Sequence, residues 1–275
     1  MNPQEQEART AFASRYRDEV EEILILSGEI THGANRCGGD ILWNVSCDFL
    51  AYQGSTGFYA HEGSVNWQSK DEETELARDH LYDIAEFDVC RLRVRAHKTQ
   101  PYEFMLLEIL ESGIVHSDFA AVRESYLVPV QWQENPFPPF TLDKQLGNFV
   151  GEIVWLGQNI TVIIANDNEE NRMRPSEPAL TTLRLLYAEP ATWQNKLSAY
   201  ATQELLELAN NEWLEDGSHP ISAEAFIDRI VLNSLSIYND GSFTALFSDD
   251  DIFCGHYILV EGGADGSLYD VDITG

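Results

Sequence analysis

A proline-rich segment near the middle of the chain constrains its fold more than any other feature. Its three prolines are Pro136, Pro138 and Pro139. Prolines at this density exclude a regular helix and remove backbone donors that a central strand needs. The sequence therefore predicts a linker over residues 135–140, between an N-terminal domain (1–134) and a C-terminal domain (141–275). A length of 275 residues agrees with two domains.

The first half predicts a mostly-β domain. A polar helix is expected at about 7–22 and an acidic helix at 71–83. Strands are expected where β-branched and aromatic residues cluster or alternate with polar ones, at 23–26, 41–52, 89–96 and 104–110. This number of strands with little helix favours an open barrel.

The second half predicts an α+β domain. It begins with a β-hairpin made of 149–155 and 160–164, and three helices follow, starting near Ser176, Pro190 and Ser222. An antiparallel meander completes the chain, with strands at 235–238, 243–247, 252–260 and 268–273. Helices segregated from strands in this way indicate an α+β fold rather than a doubly wound parallel sheet.

Acidic residues dominate the charge of the chain. Its 46 Asp and Glu against 17 Lys and Arg give a formal net charge of −29, which excludes nucleic-acid binding through a basic patch. No apolar run is long enough for a membrane span, and the first residues lack the pattern of a secretion signal. We therefore expect a cytoplasmic protein that does not bind a membrane.

The cysteines and the short motifs point to no cofactor. Cys37, Cys47, Cys90 and Cys254 form no C-x-x-C pair, so reduced thiols are expected rather than a zinc or redox site. The phosphate-loop, dinucleotide-binding and nucleophile-elbow motifs are also missing from the sequence. We expect no cofactor.

Several short segments resemble a known bacterial family. In the second half they are FTLD at 140–143, GEIVWLG at 151–157, LLELAN at 205–210, SIYNDGSF at 236–243 and GH at 255–256. This half resembles the domain of unknown function 2262 (DUF2262), and the first half, with LWNV at 42–45 and CRLRVR at 90–95, is similar to the companion domain that often precedes it. The resemblance implies no particular activity and supplies no catalytic residues. The family's relatives in bacterial gene neighbourhoods include immunity proteins of toxin systems, which implies a binding role by association only.

Three alternating arginines form the basic feature of the first half. Arg91, Arg93 and Arg95 would share one face of a strand, so an anion or phosphate site is one interpretation. The alternative is that they pair across the sheet with acids such as Glu103 or Glu108. The large excess of carboxylates in the chain favours this pairing.

The acidic tail offers a candidate cation site. Asp249, Asp251, Asp270 and Asp272 are the candidate ligands, and the last two would share a strand face. They do not follow the calcium-loop pattern, so a solvated turn is the simpler interpretation.

A single histidine is the candidate catalytic base. His256 is expected within a strand, on the face of Cys254, and it could act together with Asp270. A hydrogen-bonded structural histidine is the alternative.

Three hypotheses follow from these patterns. The leading one is a non-enzymatic, immunity-type protein that binds a basic protein partner, because the net charge would attract a cationic surface. The second is a metal-assisted hydrolase with its site around His256. The third is that the acidity reflects a salt-rich habitat, which would make charge uninformative about partners.

Overall fold

A computed structural model describes five ranges of the chain, which are 3–29, 33–70, 84–167, 174–213 and 219–275. Its contacts divide the chain into two units, Met1–Val128 and Pro129–Gly275. The acidic helix predicted at 71–83 lies outside the described residues. Within the described ranges, no helix is long and apolar enough to cross a membrane.

The first unit is mostly β, as the sequence predicts. Its elements in chain order are α1 (Pro3–Ala13), β1 (Glu21–Ser27), β2 (Gly33–Asn35), β3 (Trp43–Gly54), β4 (Gly57–Tyr59), β5 (Gly63–Ser69), β6 (Val89–Ala96), β7 (Glu103–Glu111) and α2 (Ser117–Leu127). The predicted strand at 89–96 has the observed bounds. The first helix is shorter than expected and ends at Ala13, while the short strands β2 and β4, the strand β5 and the helix α2 were not predicted.

Five of these strands form a closed barrel. Strand β3 pairs with β1 on one side and with β5 on the other, both antiparallel. Strand β6 pairs with the other edge of β1, and β7 lies between β6 and β5, antiparallel to β6 and parallel to β5. This is a five-stranded Greek-key barrel, the architecture that OB-folds also have. The predicted barrel is confirmed, and it is closed rather than open because β1 pairs with both β3 and β6.

The second unit combines one sheet with three helices, which confirms the α+β prediction. Its elements are β8 (Gln131–Trp132), β9 (Phe140–Asp143), β10 (Asn148–Trp155), β11 (Gln158–Ala165), α3 (Glu177–Ala188), α4 (Pro190–Glu212), α5 (Ala223–Arg229), β12 (Val231–Ile237), β13 (Phe243–Ser248), β14 (Tyr257–Gly262) and β15 (Leu268–Thr274). The predicted helix starts hold, since Ser176 and Ser222 accept hydrogen bonds from the backbone amides of Ala179 and Ala225.

The eight strands of the second unit lie in sequence order from β8 to β15. All neighbours are antiparallel except β11 and β12, which are parallel and are connected through α3, α4 and α5. One face of the sheet contributes Phe149, Val162, Leu235 and Phe247 to a core shared with the helices. The side chains of alternate residues point to the opposite face, which we call the outer face.

The proline-rich segment lies inside the second unit. Its flanking strands β8 and β9 pair with each other, and Phe137 and Phe140 belong to the core of this unit. The division between the units falls before the segment, between Val128 and Pro129, whereas the sequence predicts a linker at 135–140. Phe137, which lies between the prolines, and Phe140, which follows them, anchor the segment in the core.

Candidate functional site

Acidic and tyrosine side chains gather at one end of the sheet in the second unit. Glu261 on β14 lies directly opposite Asp270 on β15, and Asp272, two residues further, lies opposite Leu259. We call Glu261, Asp270, Asp272, Tyr238 and Tyr269 the acid–tyrosine patch. The three acids lie on the outer face of the sheet, because the residues next to them in sequence, Val260 and Val271, pack in the core on the other side.

The two tyrosines of the patch are held next to the acids. Tyr238 is 48% exposed, and its hydroxyl lies 3.1 Å from that of Thr244, the residue opposite Glu261 on β13. Tyr269, 54% exposed, is the extra residue where the pairing of β14 with β15 shifts register, so it lies beside Asp270. Partial burial, and then the negative charges of Glu261 and Asp240, raise the pKa of Tyr269.

The acids of the patch have no cationic partner in the described part of the chain. Each of the described arginines of the second unit is paired elsewhere: Arg174 with Glu177, Arg184 with Glu134 and Glu177, and Arg229 with Asp250. The ammonium of Lys196 donates to the carbonyl of Gly266 and lies over the ring of Trp193. The patch therefore combines uncompensated negative charge with exposed aromatic rings, a surface that suits Lys and Arg side chains.

The three predicted anion-binding arginines have different surroundings. Arg91 pairs with Glu111 at 3.4 Å, and Arg93 pairs with Glu108 and with Glu22. Glu108 is one of the two acids proposed for such pairing. The other, Glu103, instead accepts a hydrogen bond of 2.9 Å from the hydroxyl of Tyr16.

Arg95 differs from the other two arginines of this row. Its Nε atom is enclosed by protein and has no hydrogen-bond partner. The side chain lines a cleft beside α1. The row is therefore two ion-paired arginines and one that is not.

His256 lies just before β14, so the strand predicted at 252–260 is wrong in its first half. Residues 252 and 253 are apolar because they are buried in a turn, and from the sequence alone this apolar pair indicates part of a strand. Cys254 has a positive φ of 55°, which a strand does not allow. His256 donates from Nδ1 to the carbonyl of Phe253 at 2.6 Å, and its ring lies edge-on to Trp213 at 5.5 Å. These contacts give the histidine a structural role.

The proposed metal ligands serve the local backbone or face solvent. Asp249 is 3% exposed, and its carboxylate accepts hydrogen bonds from the amides of Asp251 and Phe253, which fixes the turn. Asp270 and Asp272 lie on β15, exposed. Across the described ranges there is no group of three His, Cys, Asp or Glu side chains that could hold a metal ion.

Sequence reasoning identified two of the three acids of the patch, and it missed Glu261 and both tyrosines. It assigned Asp270 and Asp272 to one strand face, as observed, and treated them as candidate metal ligands. The contribution of Tyr269 depends on a register shift that strand alternation cannot reveal. Tyr238 had a usable signal, because it lies between the end of a strand and the turn at Asn239–Gly241.

Comparison with known proteins returned family models alone. A domain of unknown function, DUF7021, matches residues 8–126. Neither the curated proteins nor the solved structures gave a match. The model described as "uncharacterized protein conserved in bacteria (DUF2262)" matches residues 134–273, half of the chain. The chain therefore belongs to the DUF2262 family, with a DUF7021 domain before the family's own domain.

Proposed function

We propose that this protein is a non-enzymatic binding protein that docks a basic protein partner on the acid–tyrosine patch. The observation that carries the proposal is the direct opposition of Glu261 and Asp270 on neighbouring strands. Like charges in such positions destabilise a sheet. Because no described cation pairs with either of them, the cost is not offset within the unit.

A cationic partner would offset the repulsion between the two carboxylates. A Lys or Arg side chain placed between the two carboxylates would be attracted by both, and a guanidinium could bind them through its fork of donors. The net charge of −29 adds long-range attraction, which raises the rate of encounter with a basic surface. The patch then supplies the specific contacts that net charge alone does not.

The exposed tyrosines support a protein rather than a small cation as the partner. Tyrosine is enriched at protein interfaces, where its ring buries apolar area and its hydroxyl stays hydrogen-bonded. A ring beside carboxylates also attracts a cation through its face. Tyr238 and Tyr269 extend the patch beyond the size that one metal ion would need.

An immunity-type role is the specific form of this proposal. In that role the protein would neutralise a basic partner by covering its surface. We place this interaction in the cytoplasm, and two thiols of the barrel support that location. Cys47 and Cys90 are buried as free cysteines, and free thiols are typical of proteins in a reducing compartment.

The test compares two variants of equal net charge. In the first, the three acids of the patch are replaced by their amides. In the second, the exposed α4 residues Glu204, Glu207 and Glu212 are replaced by Gln. Binding of a fluorescent lysine–glycine peptide is followed by anisotropy at low and high salt. We expect the patch variant to bind about tenfold more weakly and the α4 variant to bind like the wild type.

Two outcomes would contradict the proposal. Equal weakening in both variants would mean that net charge alone attracts the peptide, as a salt-rich habitat would explain. Unchanged binding in the patch variant would exclude the patch directly. The tyrosine contribution is tested separately, since Tyr269→Phe keeps the ring and should retain binding that Tyr269→Ser loses.

A further inference from the structure

A cleft of about 500 Å³ lies in the first unit between α1 and the end of β6. Three cationic side chains line it: Arg9 from α1, Arg95 from β6 and Lys98 just after β6. Asp18 is the acid among the described lining residues, and it is exposed and forms no ion pair with them. In a chain with 17 Lys and Arg and a net charge of −29, this is a local concentration of positive charge.

The walls of the cleft are held by the backbone and by buried aromatic rings. The chain after α1 is bound to the end of β6, because the amide of Arg17 donates to the carbonyl of Ala96 at 2.9 Å. Tyr16 is 1% exposed and packs with Phe12 and Met105. Burial, together with its hydrogen bond to Glu103, raises the pKa of Tyr16. The cations are therefore presented by a structured frame.

The three cations differ in how their charge is balanced. Arg9 donates from Nε to the carboxylate of Glu5 at 3.2 Å. Lys98 donates to the backbone carbonyl of Ser14 at 2.6 Å, which is a neutral acceptor. Arg95 has no acceptor for its enclosed Nε. Two of the three positive charges thus lack a carboxylate partner among the described residues.

An enclosed guanidinium nitrogen without an acceptor is an unfavourable arrangement in the free protein. The neighbouring Arg93 shows that this strand can pair an arginine when an acid is nearby, since Arg93 contacts both Glu108 and Glu22. No such acid pairs with Arg95. An oxyanion in the cleft would allow Arg95 to turn and donate from Nε and Nη together, which is the geometry that guanidinium groups adopt with phosphate.

We propose that this cleft binds a phosphorylated small molecule. A phosphate monoester carries between one and two negative charges near neutral pH, which matches the two cations that lack a carboxylate partner. A monocarboxylate would neutralise one of them and leave the other. The volume lies within the range of small-molecule sites and exceeds what inorganic phosphate alone would fill. This site lies in the other unit from the acid–tyrosine patch and does not depend on it.

The experiment is calorimetric titration of the full chain with glycerol 2-phosphate, inorganic phosphate and acetate. The wild type should bind the ester more tightly than inorganic phosphate. Acetate should give no detectable heat of binding and should not compete with the ester. Arg95→Gln should weaken binding of the ester at least about tenfold. Arg93→Gln is the matched control, with the same change of charge on the same strand, and should bind like the wild type.

Circular dichroism of each variant verifies folding, and Lys98→Gln provides a second variant that should also weaken binding. Equal binding by the wild type and Arg95→Gln would overturn the site. Equal binding of acetate and the ester would overturn the assignment to phosphate, and absence of any heat with the ester would overturn the proposal as a whole.

Discussion

The opposed carboxylates of β14 and β15 allow a prediction in which stability and binding change in opposite directions. The Cβ atoms of directly opposite residues lie about 5 Å apart, and like charges in such positions cost roughly 0.2–1 kcal/mol. Replacing Glu261 by Gln removes this repulsion and keeps the size of the side chain. We therefore expect the pair of strands to become more stable by about 0.5 kcal/mol, which is about a twofold change in an opening equilibrium.

Hydrogen–deuterium exchange of the β14 and β15 amides measures this local opening. The amides should exchange about twofold more slowly in Glu261→Gln, and Asp270→Asn should have the same effect. The double variant should gain little beyond either single one, because each removes the same repulsion. Asp272→Asn is the control, since Asp272 lies opposite Leu259 and not opposite an acid.

Salt provides a further check on the same reasoning. At 1 M salt the screening length is about 3 Å, so the difference between wild type and variant should largely vanish. Faster exchange in Glu261→Gln would refute the reasoning, because the carboxylate would then stabilise the sheet. If the variant is both more stable and weaker in binding the lysine–glycine peptide, the acids are kept for recognition at a cost in stability.

Three further predictions concern a glycine of the barrel, an ion pair of the second unit and a buried thiol of the barrel. Gly63→Ala should destabilise the barrel by about 1–3 kcal/mol in thermal unfolding, because an added Cβ would lie 2.2 Å from the backbone oxygen of Tyr102. Arg184 lowers the pKa of Glu134 by hydrogen bonding. This pair should therefore stabilise the second unit above the ordinary pKa of Glu and lose that effect as the pH falls. In urea unfolding, the free energy of unfolding of wild type should exceed that of Glu134→Gln at pH 7 and equal it in strong acid. Burial raises the pKa of Cys47 from 9.0 to about 12. Its contribution to the free energy of unfolding is therefore complete below pH 9 and falls above it by about 1.4 kcal/mol per pH unit. In urea unfolding followed at increasing pH, this fall should be shallower in Cys47→Ala.

Local patterns predicted the elements whose residues alternate or are capped. The strand at 89–96 was predicted with its observed bounds because apolar and charged residues alternate along it. The caps at Ser176 and Ser222 determined where two helices begin. The division into a mostly-β half and an α+β half followed from these signals alone.

Long-range pairing was beyond the sequence. The parallel contact of β11 with β12 joins strands that are separated by three helices, and no local signal specifies it. The strand β5 was missed because its outward residues, such as Asn66 and Gln68, are polar amides typical of loops. The cleft beside α1 likewise combines residues 6–18 with Arg95 and Lys98, which are far apart in the sequence, so the sequence placed Arg95 in a row with its neighbours rather than opposite α1.

The closed barrel has a consequence for the order in which the chain can fold during synthesis. Strands β1, β3 and β5 emerge first and can pair with one another, but β1 and β5 then each keep one unpaired edge. Those edges are covered only when β6 and β7 have left the ribosome, because β6 pairs with β1 and β7 with β5. Exposed strand edges are templates for association with other chains. A nascent chain that stalls before Glu111 is therefore an aggregation hazard, and the completed ring removes that hazard in one step.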